Sequence, residues 1–340
     1  MRVGIVGAGF MGWIHYLAYQ RSSRATVGGF ATRDATKQRG DWRDIKGNFG
    51  PPGQQINIEG LTIASTIEEL LTDDSLDLID ICLPPHLHAQ AIEKALAAGK
   101  FVLCEKPLAL SSPVAKRLLE QATPGRLMVA HILPFMPEFC FLVEAHADAR
   151  FGAAISGRFH RTIGPPDWLP DFYDTSRVGG PLIDLQVHDA HLIRLLFGMP
   201  QSANSVSHLI DGVPSRYETI FQYSNDFERP VVAVGGGVTN SPAREFTHGY
   251  EVSFERATVR FEFAGYQDGS TSGIPLTVLH ADGQMERPVI ESGDPVDAFV
   301  AEIEAAADAV AGRPLHPALD PTIAVDALTI CEMQMPDSVS

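Results

Sequence analysis

The sequence predicts a two-part chain. An α/β domain of the Rossmann kind, a doubly wound parallel sheet, is expected over residues 1–133. An α+β domain with a large open, mainly antiparallel sheet is expected over 134–340. Three observations predict this. A glycine-rich turn joins the first apolar run to the first helical pattern. Apolar runs and helical patterns then alternate to about residue 133, the signature of βαβ units. Beyond that point strand patterns succeed one another with tight turns between them. A chain of 340 residues also exceeds a single core, which stops growing at roughly 250–300 residues.

In the first part, strands are expected at Arg2–Val6, Ala25–Ala31, Leu76–Leu83, Phe101–Cys104 and Leu127–Ile132. Helices are expected at Met11–Gln20, Ile67–Leu71, Ala89–Ala98 and Val114–Ala122. The run Asp77 to Leu83 is largely apolar on both faces, as a strand inside a parallel sheet must be. Gly99 stands where a C-cap glycine belongs. Residues 38–60 are polar and rich in Gly and Pro, an irregular excursion within this domain. In the second part, Leu142–Ala149 reads as helix and Ala153–Arg161 as strand. One long helix is expected from Leu182 to Phe197, ended by Gly198 and Pro200. From Asn204 to Ile290 an antiparallel meander follows. Thr258 to Phe263 alternates strictly, so one face is buried and one wet. Asp282-Gly283 marks a hairpin, and Gly235-Gly236-Gly237 a bulge or close backbone contact. Helices at Val296–Val310 and Thr322–Met333 are expected to cover one side of this sheet.

Bulk composition narrows the partners. Hydrophobic residues are 45% and charged residues 20%, an ordinary globular balance. The formal net charge of −16 argues against nucleic acid and anionic membrane, which reward clustered Lys and Arg. Cys82, Cys104, Cys140 and Cys331 contain no C-x-x-C pair, so neither a zinc ribbon nor a redox motif is indicated. The first residues enter a strand without a basic, then apolar, leader, and no apolar stretch reaches the ~20 residues of a membrane span. A cytoplasmic location is the expectation.

Gly7-Ala8-Gly9-Phe10-Met11-Gly12 fits G-x-G-x-x-G between a strand and a helix. The first glycine permits the turn, the second lets a pyrophosphate approach the backbone, and the third lets helix pack on strand. Phosphates would then sit at the amino end of the helix, by Phe10 and Met11. At the end of the second strand stands Ala31-Thr32-Arg33-Asp34. Thr32 falls where NAD-preferring sites carry an acid. A hydroxyl followed by a guanidinium suits a 2′-phosphate, so NADP(H) is favoured over NAD(H). The alternative has Arg33 solvated and Asp34 on the ribose.

Leu83-Pro84-Pro85-His86-Leu87-His88, the segment from Ala98 to Glu105-Lys106-Pro107, and the segment from Gly179 through Asp184 to His188 complete a pattern. With the glycine turn, they resemble the Gfo/Idh/MocA oxidoreductase family along residues 1 to about 335. The resemblance implies hydride transfer between NAD(P) and a sugar, cyclitol or related polyol. It implies Lys106, Asp184 and His188 as catalytic residues, with Lys106 holding the substrate hydroxyl and His188 as general base or acid. Leu83, Pro84, His88, Glu105 and Lys106 join the glycine turn as cofactor residues, and Lys106–Pro107 is expected to be cis. It further implies a homodimer or homotetramer through the C-terminal sheet, and no metal.

The residues themselves agree in part. Lys106 stands just past a parallel strand's carboxyl end, where ligands bind in open α/β sheets. Asp184, His188 and His191 recur at helical spacing, so at about 100° per residue they would share one face of one helix. Relatives commonly carry Asp where this chain has His191. That leaves the substrate open and admits a metal reading for the three. Trp168, Asp171 and Arg177 lie in the loop before this helix and, with His191, are substrate-binding candidates. Two other functions remain possible from the sequence: a glycoside hydrolase using NAD transiently, and a non-catalytic NADP-binding regulator.

Overall fold

A computed structural model describes residues 1–47, 49–166, 171–223, 230–290 and 293–336. The chain forms two compact units, but one cut at 133/134 does not separate them. The first comprises 1–109, 113–136 and 292–325; the second comprises 110–112, 137–291 and 326–340.

The first unit follows the expected alternation. Its strands are β1 (Arg2–Val6), β2 (Thr26–Ala31), β3 (Thr62–Ala64), β4 (Leu78–Ile81), β5 (Phe101–Glu105) and β6 (Leu127–Ala130). Between them run α1 (Phe10–Arg21), α2 (Ala35–Gln38), α3 (Ile67–Leu70), α4 (His88–Ala97) and α5 (Ser112–Gln121). All strands pair in parallel, in the order β3-β2-β1-β4-β5-β6. The order reverses between β1 and β4, which puts the ligand crevice at the carboxyl ends of those strands. Every residue of β4 is buried, as its two-sided apolar pattern requires. Gly99, at φ +73°, ends α4 with Lys100 N–H donating to Ala95 O at 3.1 Å. The short edge strand β3 was not expected; three residues beside a polar excursion carry too little pattern. That excursion is anchored by Trp42, which has no accessible surface and meets Phe30 edge-on at 5.2 Å.

The second unit holds α6 (Pro137–Ala147), β7 (Ala154–Ile163), α7 (Gly180–Asp184) and α8 (Val187–Phe197). Then come β8 (Ser202–Ile210), β9 (Val213–Gln222), β10 (Val231–Val238), β11 (Arg244–Phe254), β12 (Ala257–Tyr266), β13 (Thr271–His280) and β14 (Met285–Glu286). The sheet order is β14-β13-β12-β11-β7-β10-β9-β8. It is not a plain meander: β7 inserts between β10 and β11 and pairs in parallel with β10. The glycine run of β10 is a close backbone contact, since a Cβ on Gly236 would lie 2.3 Å from Arg161 O.

The last helices are α9 (Val296–Val310) and α10 (Pro321–Glu332). The expectation that α9 covers the antiparallel sheet is corrected. Val296, Phe299, Ile303 and Ala306 join the core of the first unit, where α9 packs on α1. Periodicity shows that a helix has an apolar face; it does not name the surface that covers it. No helix among the described residues is long and apolar enough to cross a membrane.

Candidate active site

The glycine turn has the shape its spacing requires. Gly7 adopts φ +108°, and a Cβ there would sit 2.6 Å from Cys82 O. A Cβ on Gly12 would lie 2.0 Å from Gly7 O. Both glycines are therefore needed for β1, α1 and β4 to meet. Gly9 differs: it is exposed, its Cβ would meet nothing within 4 Å, and as N-cap of α1 it offers no side chain to the first turn. The first turn of α1, from Phe10 to Gly12, thus begins beside open space, with no side chain capping its N–H groups. This fits a dinucleotide pyrophosphate. Phe10 and Met11 are half-buried, and the Phe10 ring packs edge-on to Phe49 at 4.9 Å.

At the end of β2, Thr32 is half-buried and Arg33 exposed. Asp34 caps α2: one carboxylate oxygen accepts the Thr36 N–H at 2.8 Å and the Lys37 N–H at 3.2 Å. Those bonds hold its carboxyl below the usual range. Thr32 Oγ1 accepts the Asp34 N–H at 3.3 Å.

Beyond β4, Leu83 is half-buried and Pro84 exposed. Two neighbouring residues read as cofactor contacts are corrected. His88 is fully buried, with Nδ1 2.8 Å from Pro107 O and Nε2 2.7 Å from Leu83 O. It ties the β4 loop to the β5 loop and has no face for a ligand. Glu105 is buried too. Its Oε2 accepts the Lys106 N–H at 3.0 Å and its Oε1 lies 3.1 Å from His15 Nε2. Both oxygens are used inside the domain. Lys106 remains half-buried at the carboxyl end of β5, and the Lys106–Pro107 peptide is cis, as expected. A shallow concavity of about 410 Å³ lined by Glu93, Lys100 and Arg126 opens at the opposite end of β5 and is no part of this site.

In the second unit, the expected single helix is two. Asp184 is the last residue of α7, and α8 begins at Val187. At the joint Leu185 N–H and Gln186 N–H both donate to Pro181 O, at 3.1 and 3.0 Å, which widens one turn. The 100° spacing therefore does not carry from Asp184 to His188. Both residues are half-buried, whereas His191 has no accessible surface and offers a ligand none. Nor do Asp184, His188 and His191 come within reach of a common ion. Among the described residues the only set that does is His15, Asp80 and Cys82. Asp171 and Arg177 form a half-exposed ion pair at 2.8 Å. Trp168 lies outside the described residues.

Composition gave no sign of the groups that hold α8. Asp189, 1% exposed, takes Arg161 in two bonds of 2.9 and 3.0 Å. Arg161 also lies 3.5 Å from Nδ1 of His248. Burial, then the Arg161 charge, pushes His248 well below the usual histidine range, so its neutral ring accepts from the guanidinium. A sequence signal existed in part: Asp189 directly after His188, in a helix whose buried face is otherwise apolar apart from His191.

Comparison with known proteins agrees with this architecture. Residues 1–131 match the Gfo/Idh/MocA family, described as an oxidoreductase family with an NAD-binding Rossmann fold. The chain is 27% identical over 323 residues to a D-xylose 1-dehydrogenase (NADP(+)) of Haloferax volcanii, covering 91% of this chain and 89% of that one. It is 25% identical over 328 residues to an inositol 2-dehydrogenase of Rhizobium meliloti, covering 91% and 90%. Among solved structures, a levoglucosan dehydrogenase in complex with NADH and levoglucosan superposes with a TM-score of 0.76 at 19% identity, over 98% of this chain and 96% of that one, and shares the fold.

Proposed function

We propose, from the premise that this chain belongs to the Gfo/Idh/MocA oxidoreductase family, that it moves a hydride between NADP(H) and a carbinol or carbonyl carbon of a sugar, cyclitol or related polyol. The chain is an NAD(P)-linked dehydrogenase or reductase of CH–OH groups. The observation that carries the finer reading is the place of Lys106. It directly follows β5, the strand beside β4, in a sheet whose switch point holds an open glycine turn.

The bound nicotinamide supplies the hydride donor or acceptor. Lys106 holds the reacting oxygen and stabilises negative charge on it as the proton leaves. His188 takes that proton in oxidation and returns it in reduction, the general base and acid role an imidazole can fill. Asp184 binds a neighbouring hydroxyl or orients the acid–base group. The preference for NADP(H) is supported by Thr32 and Arg33 at the β2 end, and by Asp34, whose carboxylate already caps α2. Polyol substrates are supported by the relatives, whose names specify D-xylose and inositol. The test is a panel of sugars and polyols, D-xylose and myo-inositol included, with each oxidised cofactor, read by nicotinamide absorbance. Turnover with NADP+ is expected. Absence of net cofactor reduction while glycosides are cleaved would overturn the reading in favour of hydrolysis.

The second unit supports self-association. Ile220, Val206 and Val231, 57%, 76% and 64% exposed, lie on one face with Arg158, Glu251 and Arg260. Apolar side chains in a salt-bridged ladder favour a second copy of the same sheet. A homodimer or homotetramer is expected by sedimentation at micromolar concentration; a clean monomer would refute it.

A further inference from the structure

The Glu105 carboxylate that receives the Lys106 amide is the end of a longer row. Its other oxygen lies 3.1 Å from Nε2 of His15. Nδ1 of that ring lies 2.8 Å from Oδ2 of Asp80, which also accepts the Tyr19 hydroxyl at 2.9 Å. His15 and Asp80 have no accessible surface. Hydrogen bonds thus run unbroken from β4, through a side chain of α1, to the backbone of Lys106. We propose that His15 is a positioning residue for Lys106. It holds the Glu105 carboxylate where it grips the Lys106 amide, and so fixes the direction in which Lys106 leaves β5. This rests on the reading of Lys106 as the group that holds the reacting oxygen.

The chemistry of the row favours rigidity. A neutral imidazole donates from one nitrogen only. Here both nitrogens face carboxylates that already accept other donors, so both carry hydrogen and the ring is a cation. Burial is the largest single influence and opposes that charge, but the charge and hydrogen bonding of Asp80, together with Cys82, hold His15 well above the usual histidine range. The remaining groups near it, Cys82 and the buried Glu302, are themselves pushed toward their neutral forms by burial. Charge-assisted bonds are about twice as strong as neutral ones, and a misplacement of about 1 Å at a reacting group costs on the order of 100-fold in rate. A histidine that merely filled core space would need neither carboxylate.

The test uses the full chain with His15→Gln. Backbone exchange at Lys106 is compared with exchange in β1, and kcat and KM are measured with whichever of D-xylose and myo-inositol turns over. Expected is faster exchange at Lys106, by on the order of tenfold, with β1 unchanged. Expected too is a kcat lowered about 10–100-fold with KM within about twofold. In a Lys106→Ala background, His15→Gln is expected to add no further loss, because it acts through Lys106. Unchanged exchange at Lys106, an even rise across the domain, or additive losses would each overturn the proposal. If Lys106→Ala alone keeps full kcat, the reading of Lys106 fails first. If Lys106→Ala is impaired and His15→Gln is not, only the positioning role fails. Should His15→Gln not fold, Glu105→Gln and Glu105→Ala carry the same exchange test without substrate. The glutamine oxygen keeps the Lys106 amide protected and the alanine loses it; equal protection in both would overturn the row.

Discussion

The two places that carry the proposed chemistry are built on different principles. Lys106 leaves a strand paired on both sides, and its turn is held by Glu105 on one side and by His88, through Pro107 O, on the other. Asp184 and His188 flank a joint between two helices. That joint is held by Gln186, a fully buried side chain whose Oε1 accepts Gln334 Nε2 at 3.0 Å and Cys331 Sγ at 2.9 Å. A strand end is set by its own apolar run and the residues next to it. A helix joint pinned from the far end of the chain is set by tertiary contact. The first kind of site is open to sequence reasoning, and the second is not.

The largest expected effect tests the second site. Asp189→Ala leaves Arg161 buried beside a neutral His248, so α8 loses its anchor. Breaking a buried pair from one side costs about 3–5 kcal/mol, and urea unfolding should show it. A loss below about 1 kcal/mol, as for exposed pairs, would mean that α8 is held by packing alone.

A smaller effect belongs to the first unit. Arg33→Ala should weaken NADPH binding by about 1.5–3 kcal/mol, the range of hydrogen bonds to charged groups, and leave NADH binding unchanged. Fluorescence titration of both cofactors measures it. Equal losses for the two would remove the 2′-phosphate from the account.

Smaller again is the effect of Glu302, on α9 in the first unit. Neither of its oxygens has a hydrogen-bond partner among the described residues, and burial pushes its pKa well above the usual carboxylate range. A pKa raised on folding adds stability that is full below the unfolded value, about 4.3, and is lost as pH rises through the folded value. Glu302→Gln keeps the shape without the ionisation. It should raise stability near neutral pH, because no charge then has to form in or be kept from the core, and flatten the decline above pH 5. Thermal unfolding across pH measures this, and a variant as pH-sensitive as the parent would contradict the assignment.

The same contrast explains what the sequence disclosed. β1 emerged with both ends correct, and β2, β4, β5 and β6 to within two residues at each end, because buried parallel strands are written as apolar runs. The glycine turn was legible because its first and last glycines, Gly7 and Gly12, answer steric demands of the turn itself. His88 and Glu105 were read as cofactor contacts, but their side chains bond to Pro107 O, Leu83 O, His15 and the Lys106 N–H. Whether a polar side chain faces a ligand or a backbone carbonyl depends on its rotamer, which spacing does not fix. Spacing does not mark His15, since its two carboxylates come from strands 65 and 90 residues away. The break at Leu185–Gln186 was invisible for the same reason, as the groups that bond to the Gln186 side chain, Cys331 and Gln334, lie at the far end of the chain.

The central claim is that this chain performs acid–base-assisted hydride transfer, with His188 moving the proton. Its most direct test is the steady-state kcat of His188→Ala on the sugar or polyol found in the panel, alongside NADPH affinity by fluorescence. The account predicts a kcat lowered by roughly 10²–10⁴, the usual yield of general acid–base catalysis, with cofactor affinity within about twofold. An unchanged kcat, or a loss explained wholly by weaker cofactor binding, would contradict it.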